Sequence, residues 1–94
     1  MDTPLFPDNE NDALERDLAS AIDGAESLLE IENRLRSLRH VQSVELKDYL
    51  LKSNPSQRVF IVEIAPPDGT ALTKVVKVFD LGDGRYRFHE QSDR

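Results

Sequence analysis

The sequence contains no cysteine and no tryptophan, one methionine and two histidines. Without cysteine there is no disulfide frame, no thiolate nucleophile, no iron–sulfur cluster and no cysteine-ligated zinc, so packing has to carry the stability. His40 and His89 lie far apart in the chain, and neither stands in a metal-ligand spacing with carboxylates, so no metal is expected. Glycine-rich phosphate loops of the GxxxxGK[ST] or GxGxxG type are missing. Ser27, Ser37, Ser43, Ser53 and Ser56 lack a nucleophile-elbow context. With no visible nucleophile, base or metal set, neither an enzyme nor a cofactor is expected. Long apolar runs are missing too. The longest, Val59 to Val62, has four residues, whereas a membrane helix needs about 20. The first residues, Met-Asp-Thr-Pro-Leu, show no basic region followed by an apolar one, so the expected compartment is the cytoplasm, with no membrane partner.

What is present is a short, charged chain. Its 94 residues are 38% hydrophobic and 32% charged, which suits one small globular domain with little core to spare. The formal net charge is −6, but it is unevenly spread. Residues 1–33 hold ten acids and one base, or −9; the remaining residues hold eight acids and eleven bases, or +3. The acidic balance argues against binding to phosphate backbones, where affinity comes from Lys and Arg displacing counterions, so nucleic acid is not an expected partner. Acids early and bases late also suit helix dipoles.

Residues 1–11 carry two prolines and no periodicity, and read as an unstructured acidic arm. Leu5 and Phe6 between the prolines are its apolar exception. Asp8, Glu10 and Asp12 echo the start of a calcium loop. Ala13 stands where that loop needs Gly, and Ala19 where it needs Glu, so no calcium site is expected. A helical pattern runs from Asp12 through Leu14, Leu18, Ala21, Ile22 and Ala25, with Asp12 and Glu15 in capping-box spacing. Ser27 and Glu30 form a better capping box, followed by Leu28, Ile31, Leu35 and Leu38 on one helical face. Glu30 with Arg34 and Glu32 with Arg36 stand at (i, i+4) in the favourable order. A helix is expected over residues 25/27–39, with a break from the preceding one near Asp23-Gly24. His40 stands at its end, where a cation can interact with the last carbonyls.

After His40 the period becomes strand-like. Residues 41–51 read as a strand with an irregularity near Lys47-Asp48. Gln57 to Ala65 reads as a central strand, Leu72 to Leu81 as a third, and Arg85 to His89 as a fourth. Ser53-Asn54-Pro55-Ser56, Pro66-Pro67-Asp68-Gly69 and Gly82-Asp83-Gly84 read as turns. Residues 91–94 read as a frayed tail, leaving 12–90 as the folded unit. The expected class is α+β: one or two N-terminal helices packed on a three- to four-stranded antiparallel meander, in the order α-β-β-β-β.

The central strand has an apolar surplus. Phe60, Val62 and Ile64 alternate with Val59 and Ile61, so both faces are apolar; Val76 and Val78 alternate with Val75, Phe79 and Leu81 in the same way. One face can lie under the 25–39 helix. The other needs the 12–23 helix, the N-terminal arm or another chain. The leading expectation is therefore a protein-interaction or regulatory module that binds a protein partner, or itself as a homodimer. Its contacts are an apolar sheet face or edge built from Val59, Ile61, Val75 and Phe79. The alternative is a small-ligand or anion site on a basic strip of Lys77, Arg85, Arg87 and His89, with Lys74 beside it.

Overall fold

Helices precede strands, and the local signals explain where each element begins and ends. The computed structural model describes residues 7–52, 55–67 and 69–94. α1 spans Pro7–Ile22 and α2 spans Leu28–Arg36. Four strands follow: β1 Val41–Leu51, β2 Ser56–Ile64, β3 Leu72–Gly82 and β4 Arg85–Asp93. They form one antiparallel sheet in the order β1-β2-β3-β4, the expected meander.

α1 begins at Pro7, not at Asp12, so residues 7–11 are helical and not part of an unstructured arm. Proline suits a helix's first position, where its missing N–H has no intrahelical acceptor anyway. Asp12 and Glu15 therefore lie inside the helix and do not cap it, and the calcium-like run is helical backbone. Residues 1–6, with Leu5 and Phe6, lie outside the described residues. The chain leaves α1 through Gly24 at φ +85°, a left-handed conformation that glycine adopts without a Cβ clash. There are thus two helices. Ser27 accepts from the Glu30 N–H at 3.0 Å, the capping bond read from the sequence; the Glu30 carboxylate reaches back to the Glu26 N–H at 2.9 Å, one residue before the cap, and not to that of Ser27. Glu30–Arg34 and Glu32–Arg36 are ion pairs along α2. α2 ends at Arg36, short of residue 39. Ser37 takes the closing role, donating its N–H to the Arg34 carbonyl at 3.1 Å, while the Leu38 N–H donates to the Leu35 carbonyl at 3.1 Å. His40 is not the helix cap: it lies at φ +68° in the turn into β1, where its carbonyl accepts from the Ala65 N–H at 2.8 Å.

In the sheet, β1 breaks register between Leu46 and Leu50, the irregularity expected near Lys47-Asp48, and again between Val41 and Ser43. Asp83 at φ +57° and Gly84 at φ +70° make a two-residue β3–β4 hairpin of the type I′ kind, whose twist matches the flanking strands. A Cβ on Gly84 would lie 3.2 Å from the Glu26 carbonyl, so the hairpin tip meets the α1–α2 turn closely. β4 continues to Asp93, and the Arg94 N–H donates to the Thr73 carbonyl at 3.0 Å. Residues 91–94 are thus tied to the sheet and not frayed.

Both helices lie on the same side of the sheet. Leu18, Ala21, Ile22 and Ala25 around α1, and Ile31 and Leu35 of α2, pack with Val44, Phe60, Val62, Val76 and Val78 in one buried core. Tyr86 and Phe88 of β4 join its rim. Arg34 also donates to the Ala21 carbonyl at 3.4 Å, fastening α2 to the last turn of α1.

Candidate functional site

The pairing register decides which side chains share a face. Ile61 pairs with both Glu45 and Val75, Val59 with Lys77, and Gln57 with Phe79. Phe79 pairs with Arg87, and Lys77 with Glu90. Side chains of paired residues point the same way. Val59, Ile61, Val75 and Phe79 therefore all lie on the face opposite the helices. Val59 is excluded from the helix-covered core although it is only 2% exposed. Ile61, Val75 and Phe79 are half-buried, and Leu81 at the end of β3 is 37% exposed. The four residues singled out from the sequence are thus brought together. Among the described residues, neither helix lies over them.

Val59 owes its burial to its neighbours on the same surface. Lys77 stands opposite it, and Lys47, one residue beyond Leu46, points to the same side near its level. Their side chains are only 34% and 29% exposed, and their ammonium groups pair with Glu90 at 3.4 Å and Glu45 at 3.7 Å. Val59 is the buried floor of the patch; Ile61, Val75 and Phe79, all half-buried, are its contact surface.

The basic strip is only partly assembled. Lys77, Arg85, Arg87 and His89 share the open face, but Lys77 pairs with Glu90 at 3.4 Å. The register shift between Lys77 and Val78 leaves His89 bulged, and its ring stacks on Phe79 with centroids 4.3 Å apart. Lys74 does not belong to the strip. It lies three residues before Lys77, hence on the opposite face, where it is 7% exposed and paired with Asp93. Arg85 and Arg87 are exposed and have no ion-pair partner among the described residues. The hollow of about 740 Å³ beside them, between the hairpin and the α1–α2 turn, is also lined by Asp23, Glu26 and Asp83. Those acids oppose capture of a free anion inside the hollow, which lies against the α1–α2 turn and not on the open face.

The sheet edges are occupied in part. On edge strand β4 the Phe88 N–H donates to Asp23 at 2.8 Å. On edge strand β1 the Val44 carbonyl accepts from Arg36 at 3.3 Å. Each side chain takes up a main-chain group that an added strand would need, and the bulges in β1 and β4 disturb the ladder further. The face, not the edge, is the available surface.

One feature of the face was not singled out from the sequence. Glu45 and Glu63 lie at its β1–β2 corner, diagonally across from Arg85 and Arg87. Alternation within each strand carries the signal for both, but strand-to-strand register is needed to see the diagonal. Among the described residues no group of three or more His, Cys, Asp or Glu side chains is placed to hold a metal ion, and no helix is long and apolar enough to cross a membrane. No family model, no curated protein and no solved structure matches the chain.

Proposed function

We propose that this chain is a non-catalytic interaction module that docks a protein partner on the open face of its sheet. The observation that supports this reading is the position of Ile61, Val75 and Phe79 on the one sheet face that neither helix covers, beside the buried Val59. A contiguous apolar stripe rimmed by charged side chains is the anatomy of a protein contact, with an apolar centre and a polar rim. The partly occupied edges direct binding to the face. The anion-site alternative has less support, because Lys77 and His89 are engaged and the Arg85–Arg87 hollow holds acids.

Photo-crosslinking tests the reading. A benzophenone side chain replaces Val75 in one version and Leu29, which is 65% exposed on the helical layer, in another. The version carrying it at position 75 is expected to give one discrete protein adduct, lost on adding Phe79→Lys, while position 29 gives none. Equal labelling from both positions, or none from 75, refutes the proposal.

A further inference from the structure

We infer that the occupant of the open face is a second copy of this chain, related by a two-fold axis lying in the plane between the two sheets. The Glu45–Glu63 corner of each copy then sits over the Arg85–Arg87 corner of the other. This inference rests on the docking reading above and names the partner.

The charge layout carries it. Among the described residues Glu63 receives only the Ser43 hydroxyl, at 3.0 Å, and Glu45 is 66% exposed with Lys47 at 3.7 Å. Arg85 and Arg87 stand at the diagonally opposite corner, exposed and without an ion-pair partner among the described residues. The stripe of Ile61, Val75 and Phe79 runs between the two corners. A two-fold interface must be complementary to itself. An axis along the other diagonal exchanges the two corners, so acid meets base twice and the apolar stripe meets itself. A face built for an unrelated partner has no reason to carry this symmetry.

The rest of the charge does not oppose it. The acid-rich helices lie on the far side of the sheet. Among the described side chains, the face sets Glu45, Glu63 and Glu90 against Lys47, Lys77, Arg85 and Arg87, so it is close to neutral. Size sets the strength. Four strands about 4.8 Å apart and roughly eight residues long, at about 3.3 Å each, give a face of roughly 500 Å². Two copies then bury about 1,000 Å², the lower limit for a specific interface, so dissociation in the micromolar range is expected.

Sedimentation equilibrium of the full chain, from low micromolar to millimolar concentration, tests the proposal. A reversible monomer–dimer equilibrium is expected. Arg85→Glu with Arg87→Glu, and separately Glu45→Arg with Glu63→Arg, each weaken association at least about tenfold. An equimolar mixture of the two variants restores it, because every corner again faces its opposite. Arg16→Glu with Arg39→Glu changes net charge equally on other exposed positions and leaves the constant unchanged. Circular dichroism verifies that each variant is folded. A wild-type chain that stays monomeric throughout, or a mixture that fails to re-associate, overturns the inference. If the chain stays monomeric while position 75 crosslinks to a different protein, self-association fails and the docking reading survives.

Discussion

Val59 and Val62 lie in the same strand, are 2% and 0% exposed, and differ only in the face they occupy. Replacing each with alanine therefore asks whether the face opposite the helices is open. Either substitution removes two methyl groups, worth about 1.5 kcal/mol at ~0.8 kcal/mol per buried carbon. Beneath Val62 lie two helices and the largest buried side chains, which cannot collapse into the space, so a cavity penalty raises the loss to about 2–3 kcal/mol. Val59 has no helix over it and pairs with Lys77, whose long side chain is free to settle inward, so its loss is about 1 kcal/mol or less. The gap of about 1–2 kcal/mol corresponds to roughly 4–8 °C in Tm per kcal/mol for a domain of this size. Urea unfolding followed by circular dichroism, at concentrations dilute enough to keep the chain monomeric, measures both losses with a common m-value. If Val59→Ala costs as much as Val62→Ala, Val59 lies under rigid cover, and the account of an open, lysine-shielded face is wrong.

Three further outcomes follow from individual contacts. Ser27→Ala removes the acceptor for the Glu30 N–H and is expected to cost about 1 kcal/mol in thermal unfolding, whereas Ser27→Asp retains most of the stability. Lys74→Met replaces a buried ammonium beside the core with an apolar side chain of similar length; its stability should equal or exceed that of the wild type, because the desolvation cost disappears along with the Asp93 pair. A clear loss in urea unfolding would show that the pair is net stabilising. Asp23→Ala frees the Phe88 N–H on edge strand β4, so amide exchange at Phe88 should accelerate and aggregation on warming should increase, with little change in helix content.

Much of this fold can be read locally. The Ser27–Glu30 box, the (i, i+4) pairs and Gly24 mark the helices because capping and side-chain pairing act within a few residues. The alternation of Val59 and Ile61 with Phe60 and Val62 marks a strand apolar on both sides, and the Asp83-Gly84 dipeptide marks its hairpin. Where the local reading missed, the missing term was a contact distant in sequence. Helix α1 starts five residues early, at Pro7, because proline at a helix start looks the same in sequence as proline in an arm. β4 runs to Asp93 because Lys74 and Thr73, some twenty residues earlier, pair with its end.

The candidate site divides along the same line. Within each strand, period-two alternation already groups Val59 with Ile61 and Val75 with Phe79; that the two pairs share one face follows from the β2–β3 register. Only the tertiary structure decided that both helices take the other face, that Lys74 is buried there, and that Asp23 and Arg36 occupy the edges. It also decided that two acids and two arginines occupy opposite corners, because that depends on register between strands, and register is set by turns, bulges and the packing of the whole core. Alternation is a property of a single extended segment; adjacency is a property of four segments placed together.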